Sequence, residues 1–190
     1  MVIAYHAIFT TYGTWLPNDP RGSFSKAVYN EELSALAPIL YGRQSPQPPA
    51  NELRRFWATA RPCLERLPYF ITDATRGRVG SAFARVVKRL GLTLAACSIM
   101  KDHVHLVVMR SRYRIEYVVN QVKGAATHDL GLDLTPWARQ GWNVFLDDAE
   151  AVAAAVEYVE ANPPSAGLGL QHWDFVASWP EITALLQPYV

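Results

Sequence analysis

Two histidines, His103 and His105, flank a single valine at the start of the apolar segment His-Val-His-Leu-Val-Val-Met. Side chains two positions apart in a β-strand point to the same face of the sheet. Two imidazoles on one face can bind a single divalent cation, or each can hydrogen-bond a polar neighbour. The pair by itself does not decide between these interpretations.

A second group of residues that could do chemistry surrounds Tyr158. A helix advances by about 100° per residue, which aligns Val152, Val156 and Val159 in one stripe and places Tyr158 about 120° from the centre of that stripe. Small alanine side chains flank the tyrosine, and Asn162 follows one turn later on the same side. A tyrosine on a helix flank is more often structural, but these neighbours leave room for a substrate.

The order of predicted elements places both groups in one fold. Residues 73–90, 115–130 and 148–161 have helical patterns, and residues 2–11, 92–99, 103–109 and 141–146 have strand patterns. This is the ferredoxin-like order with one further helix. The predicted fold class is therefore α+β: an antiparallel sheet with helices on one face, plus an extra C-terminal helix that bears Tyr158. A single domain is expected over residues 1–190, with an inserted segment at about 12–69 and a C-terminal tail at about 163–190.

Composition is typical of a globular protein. Half of the 190 residues are hydrophobic, and no apolar run reaches the roughly 18 residues that span a bilayer, so no membrane association is expected. No basic stretch followed by an apolar stretch indicates a signal peptide. The widely separated Cys63 and Cys97 match no metal or redox spacing. Reduced cysteines and a cytoplasmic location are therefore expected.

Charge is distributed unevenly along the chain, although the formal net charge is only +1. Residues 54–123 carry fourteen Lys or Arg and four acidic residues, whereas residues 124–190 carry one Arg and nine acidic residues. Such asymmetry can produce a basic face that attracts phosphate, or it can reflect solvated helix faces that pair with one another. The composition does not exclude either.

Both groups of residues resemble a known family. His103-Val104-His105 is similar to the HUH motif, in which U is a hydrophobic residue, and the Tyr-Val-Glu-Ala-Asn-Pro sequence at 158–163 is similar to a tyrosine-helix motif. Together they resemble the HUH single-tyrosine transposases, in particular the REP-associated tyrosine transposase branch. Tyr5-His6 and Val122-Lys123-Gly124 also fit that family. The resemblance covers about residues 3–176.

The resemblance implies a function and a set of site residues. His103, His105 and Asn162 would bind Mg²⁺ or Mn²⁺, and Tyr158 would attack a DNA phosphate to form a 5′-phosphotyrosine. The expected partner is single-stranded DNA with hairpins, which the protein would cut and transfer. Phosphate contacts are expected from four basic residues: Arg110, Arg112, Arg114 and Lys123. The tail could hold the tyrosine helix in cis, which favours a monomer over a homodimer.

Other functions stay open from the sequence. A domesticated, non-mobile DNA-processing or DNA-binding protein would carry the same residues. An unrelated metal-dependent phosphoesterase is a further alternative, but Val107 stands where a histidine-triad hydrolase needs its third histidine. His6 is expected to be structural. Of four tryptophans that could stack on bases, at most one is expected to do so: Trp15, Trp57, Trp137 and Trp142.

Overall fold

The computed structural model describes residues 1–187, and its centre is one four-stranded sheet. The strands are β1 (Ala4–Thr11), β2 (Leu94–Ile99), β3 (His103–Met109) and β4 (Trp137–Leu146). The helices are α1 (Glu31–Ser34), α2 (Ala50–Ala60), α3 (Asp73–Leu90), α4 (Ile115–Asp129), α5 (Ala149–Ser165) and α6 (Trp179–Leu186). The strand order is β2-β3-β1-β4, and every neighbouring pair is antiparallel. The predicted α+β, ferredoxin-like fold class is confirmed.

The two faces of the sheet are covered by different helices. Phe9 of β1 and Leu106 of β3 lie in the larger hydrophobic core with residues of α3 and α4. Val107 of β3 lies on the opposite face, in a second core with Val152 and Val156 of α5. The two helices of the ferredoxin-like unit therefore share one face, and the extra helix covers the other. We call these the α3/α4 face and the α5 face.

Local sequence signals explain where the long helices begin and end. The Thr72 side chain caps α3 by accepting a hydrogen bond from the backbone N–H of Thr75, and the Thr75 hydroxyl accepts the Thr72 N–H in return. Gly91 ends α3 with a left-handed φ of 61°. The Asp148 carboxylate caps α5 by accepting the N–H of Ala151 at 2.7 Å. Both starts agree with the predicted boundaries.

Helix α5 is longer than its sequence pattern indicates. Prediction ended it at residue 161, because a proline disfavours helical geometry in the residue before it and lacks an N–H donor. The helix instead continues through Pro163 and Pro164 to Ser165. The N–H of Ala166 closes the last turn by donating to the carbonyls of Asn162 and Pro163, both at 3.1 Å. This extra turn keeps Asn162 within the helix, one turn from Tyr158.

The C-terminal tail lies along the free edge of β2. The Gln171 side chain exchanges two hydrogen bonds with the backbone of Ile99, and the N–H of Ala177 donates to the Leu94 carbonyl at 2.9 Å. These contacts satisfy backbone groups that an exposed edge strand would leave unpaired. The last predicted residues of the tail, 188–190, lie outside the described residues.

The inserted segment forms a small unit beside the sheet. Its own hydrophobic cluster consists of four buried residues: Leu16, Leu33, Phe56 and Ala60. The inserted segment lies near the start of β4. This strand begins at Trp137, four residues before the predicted start, and its pairing with β1 contains a register shift between Phe9 and Thr11. At Gly141 a Cβ atom would lie 2.7 Å from the carbonyl oxygen of Ile8, so only glycine fits there.

Among the described helices none is long and apolar enough to cross a membrane.

Candidate active site

His103 and His105 lie on the α5 face of β3, as the two-residue spacing requires. Their ring centres are 4.8 Å apart. His103, at the open end of the strand, is partly exposed, whereas His105 is only 3% exposed. One ring of the pair therefore lies at the surface and the other lies in the protein interior. The two rings are close enough to each other to face a common atom.

The carboxylate of Asp102 holds the ring of His103. Nδ1–H of His103 donates to Oδ1 of Asp102 at 2.7 Å, because an ionised carboxylate can only accept. Burial alone would raise the pKa of Asp102, but the hydrogen bond from His103 and the charges of His103 and Arg21 hold it below its usual value. This contact leaves Nε2 of His103 as the atom available to a metal.

His6 of β1 holds the ring of His105 in an equivalent way. Nε2 of His6 and Nδ1 of His105 are 2.9 Å apart in a buried contact. Sequence reasoning treated His6 as structural, and the missed signal is its place on β1. It lies two residues from Ile8, which pairs with His105, and an even spacing keeps His6 on the same sheet face.

Burial keeps these inner histidines neutral. It lowers the pKa of His6 to about 4. It also lowers the pKa of His105 to about 2, with further contributions from the charges of His103, His6 and Arg43. A neutral imidazole can bind a metal ion through an unprotonated nitrogen, whereas an imidazolium cannot. At neutral pH His105 is therefore in the form that a metal ligand needs.

Helix α5 brings Tyr158 over the two inner histidines. The Tyr158 ring lies edge-on to His105 with ring centres 5.6 Å apart, and to His6 with ring centres 5.9 Å apart. Val156 and Val159 anchor this part of the helix in the core, while Tyr158 itself is 46% exposed. The sequence-predicted tyrosine thus meets the sequence-predicted histidines, and solvent can reach its ring.

Asn162 lies one turn beyond Tyr158 on the same helix. Its side-chain Nδ2–H donates to the Tyr158 carbonyl at 2.6 Å, so the amide nitrogen is engaged and Oδ1 is the atom that a metal could use. No cluster of three His, Cys, Asp or Glu residues suited to a metal occurs among residues 1–187. A cation on the histidines would therefore take its further ligands from Asn162, the substrate or water.

The chemistry of the donor set fits a divalent cation. The Nδ1 atoms of His103 and His105 are both engaged, so their Nε2 atoms are the ones available. Ser98 of β2 pairs with His105 across the sheet, and its buried hydroxyl has no hydrogen-bond partner within the described part of the chain. A bound water or ion beside His105 would satisfy that hydroxyl.

The four basic residues predicted to contact DNA do not gather around the histidines. Arg110, Arg112 and Arg114 follow Met109, at the end of β3 opposite to His103, which six residue steps place about 20 Å away. Lys123 lies on the α3/α4 face, where its buried ammonium donates to the Ala138 carbonyl at 3.0 Å. These four residues therefore do not surround the histidines, because strand length separates one group from them and the sheet separates the other.

Two other arginines, both from the inserted segment, lie nearer to the histidines. The charge of Arg21 acts on Asp102, and the charge of Arg43 acts on His105. Arg21 is itself held by an ion pair with buried Asp19 at 2.7 Å. Sequence reasoning did not select these residues because nothing in the pattern of residues 12–69 indicates which side of the sheet that segment approaches.

Comparison with known proteins gives a family match for the middle of the chain. The family model described as Transposase IS200 like matches residues 63–147. The matched segment includes His103 and His105 and ends before α5, which carries Tyr158 and Asn162. No protein of curated function matches the sequence.

One solved structure shows the same fold, and a second is reported beside it. The structure of a REP-associated tyrosine transposase bound to a REP hairpin aligns with 98% of this chain and 83% of its own, at 12% identity and a TM-score of 0.53. A candidate transposase from Deinococcus radiodurans R1 aligns with 85% of this chain and 91% of its own, at 14% identity and a TM-score of 0.42. At such identities the first likeness establishes the fold only.

Proposed function

We propose that this chain cuts single-stranded DNA and rejoins it through a covalent bond to Tyr158, and the match of residues 63–147 to the IS200-like transposase family model supports this proposal. The observation that carries the proposal is the meeting of Tyr158 with the histidine pair within one chain, where the Tyr158 and His105 ring centres are 5.6 Å apart. The helix that carries Tyr158 is distant in sequence from the histidine strand. A half-exposed tyrosine at this position is not needed for packing of the core.

His103 and His105 are proposed to bind Mg²⁺ or Mn²⁺ through their Nε2 atoms, with the Oδ1 atom of Asn162 as a further ligand. When bound there, the cation would neutralise negative charge that develops on the scissile phosphate. Asp102 and His6 position the two rings by accepting their Nδ1 protons. The two rings are therefore already aligned in the folded protein, and no free energy is needed to orient them during catalysis.

Tyr158 is proposed as the nucleophile. Its phenolic oxygen forms a bond to the scissile phosphorus, and the bond from that phosphorus to the 3′ oxygen of the upstream fragment breaks. The tyrosine is then joined to the 5′ phosphate of the downstream fragment. The phenol releases one proton and the departing 3′ oxygen takes one up, so no net proton is consumed. The phosphotyrosine retains the energy of the original bond, and a second DNA end with a free 3′-OH can therefore reverse the reaction.

A single strand is the proposed substrate because Tyr158 is held on α5 and the cation would be held on the sheet. A phosphate in stacked duplex DNA cannot readily reach both, whereas a phosphate in a flexible single strand can. The REP hairpin bound by the similar transposase supports hairpin-bearing DNA as the substrate class. Since His105 and Tyr158 meet within one chain, a monomer contains all the proposed catalytic groups.

Covalent capture tests the proposal. Hairpin-bearing single strands labelled at either end would be incubated with the protein and Mn²⁺, then separated under denaturing conditions. A 5′-phosphotyrosine should transfer only the 3′ label to the protein, and the 5′-labelled product should be free with a 3′-OH. Tyr158→Phe should abolish the adduct while leaving DNA binding intact. Tyr117→Phe is the matched control, because Tyr117 of α4 is similarly exposed at 43%.

Two outcomes would contradict this assignment. An adduct that persists in Tyr158→Phe would move the nucleophile to another residue. Cleavage without any adduct would indicate an activated water molecule, and the protein would then be an ordinary metal-dependent nuclease.

A further inference from the structure

Three aromatic side chains, of which two are exposed and one is half-buried, form a cluster beside the proposed active site. Phe24 stacks on Trp142 with ring centres 3.8 Å apart and an interplanar angle of 17°. Tyr41 meets Phe24 edge-on with ring centres 5.8 Å apart. Phe24 is 41% exposed and Tyr41 is 59% exposed. We call Phe24, Tyr41 and Trp142 the aromatic platform.

The sheet register places the aromatic platform on the same face as the histidines. Ile8 of β1 pairs with His105 on one side and with Trp142 of β4 on the other. Directly opposed residues of an antiparallel sheet point to the same face, and two strand spacings separate Trp142 from His105 by about 10 Å. Helix α5 packs chiefly against β2 and β3, so it leaves the β4 side of this face to the inserted segment.

The backbone of the inserted segment is built to hold the platform in position. The N–H of Ser23 donates to the Leu40 carbonyl at 2.8 Å, and the N–H of Gly42 donates to the Ser23 carbonyl at 2.7 Å. Gly22 adopts a φ of +86°, and a Cβ there would lie 1.9 Å from the Gly42 carbonyl oxygen. These contacts connect the backbone beside Phe24 to the backbone beside Tyr41. The backbone of the inserted segment therefore holds the two rings next to each other.

Positive charge accompanies the aromatic rings. Arg43 follows Tyr41 by two residues, and its guanidinium is close enough to His105 to contribute to the lowered pKa of that ring. A cation that accompanies both exposed aromatic rings and a proposed phosphate-cleaving site is complementary to the phosphates and bases of a single strand. Exposed rings alone would fit many partners, whereas this combination is complementary to nucleic acid.

The other candidate tryptophans are engaged elsewhere. Trp137 is 2% exposed and belongs to the core of the α3/α4 face. The ring of Trp15 is covered by the Arg21 guanidinium, 3.8 Å from its centre. Trp57 packs edge-on against Phe56 within the inserted segment. Trp142 is thus the one of the four that belongs to an exposed stack on the face with the histidines.

We propose that the aromatic platform binds an unpaired base of the DNA strand on which Tyr158 acts, by continuing the stack on the exposed ring of Phe24. The inference rests on the proposed function, because it assigns a subsite to that substrate. Stacking on a flat ring is tolerant of sequence, so the platform contributes affinity and holds the strand in place beside the histidines rather than selecting a particular base.

Binding without cleavage tests the proposal. Tyr158→Phe protein without metal would be titrated with a fifteen-nucleotide oligothymidylate and with an abasic strand of the same length. Adding Phe24→Ala should weaken oligothymidylate binding about 5- to 150-fold, because base–aromatic stacking contributes that much per base. The same change should leave binding of the abasic strand unaltered. Phe24→Trp keeps an exposed ring and should restore the affinity.

Phe145→Ala is the matched control. Phe145 lies on the same strand as Trp142, is 60% exposed and points to the opposite face, where it contacts Tyr5 edge-on. It should not affect binding of either oligonucleotide. Thermal unfolding of each variant would establish that the folded state is retained, and Tyr41→Ala provides a second test at a more exposed ring.

Failure of this inference is distinguishable from failure of the proposed function. Equal loss of affinity for the abasic strand and the oligothymidylate in Phe24→Ala would overturn base stacking, and so would no loss for either. Adduct formation by Tyr158 would still stand in both cases. Conversely, a Phe24-dependent preference for the oligothymidylate without any covalent adduct would support the platform and overturn the catalytic proposal.

Discussion

Nε2 of His6 lies 2.9 Å from Nδ1 of His105, and both rings are buried between the sheet and α5. Two neutral imidazoles at this distance share one proton. If His105 binds a metal through Nε2, its Nδ1 must carry that proton and donate it to His6. His6 therefore determines which tautomer of His105 is present, and the proposed metal site includes a residue from β1 as well as from β3.

Replacing His6 with phenylalanine should weaken metal binding. The ring shape is retained, but Nδ1–H of His105 loses its acceptor, and the loss of such a partner lowers metal affinity by about 10- to 100-fold. Isothermal titration with Mn²⁺ in the absence of DNA would measure the change. His6→Gln offers a carbonyl oxygen and should recover part of the affinity. His128→Phe, at an exposed histidine, is the control, and an unchanged affinity in His6→Phe would remove His6 from the site.

Asp102 should support metal binding by His103 in the same way, and different substitutions of Asp102 should lower the Mn²⁺ affinity to different degrees. Asp102→Asn keeps an oxygen that can accept from Nδ1–H and loses the negative charge, whereas Asp102→Ala loses both. We therefore expect Mn²⁺ affinity to fall in the order wild type, Asn, Ala, with the Ala variant lower by about 10- to 100-fold. Equal affinities for all three proteins would show that the Asp102–His103 contact has no role in metal binding.

DNA binding should depend on salt through two separate groups of arginines. Each phosphate contact that is lost should reduce the slope of log affinity against log salt by about 0.7 for a single strand. Arg112→Glu with Arg114→Glu should weaken binding of hairpin DNA without slowing adduct formation at saturating DNA, because these residues lie far from Tyr158. Arg43→Glu should lower both. Lys88→Glu, an exposed change on α3, is the control, and salt-independent affinity between about 50 and 200 mM would contradict any phosphate contribution.

The stability of the protein should depend on pH through Lys123. Burial lowers the pKa of this ammonium to about 8, below the ordinary value of 10.5. The unfolded chain therefore binds more protons than the folded chain between about pH 8 and 10.5, and the free energy of unfolding rises with pH in that window. A single group contributes at most about 1.4 kcal/mol per pH unit. In chemical denaturation, the free energy of unfolding of wild type relative to that of Lys123→Met should rise over this window, and a constant difference between the two proteins would contradict the buried charge.

Sequence patterns located the main strands and helices and, together with the family resemblance, singled out the proposed catalytic residues. The two-residue spacing of His103 and His105 requires a common face once β3 forms, because successive strand residues alternate. The off-stripe position of Tyr158 follows from helical geometry alone. Capping residues such as Thr72 and Gly91 define helix ends locally, so their prediction needed no knowledge of distant contacts.

Only the tertiary structure decided which residues surround that site. His6 and His105 are far apart in the chain, and they meet because β1 and β3 pair in one particular register. Arg110 to Arg114 follow the histidine strand in sequence but lie at its far end, whereas Arg43 approaches from an insertion with no recognisable pattern. Local sequence determines periodicity and caps because these depend on neighbouring residues. Strand register, the covered face and the path of the inserted segment depend on packing between distant residues, which periodicity does not encode.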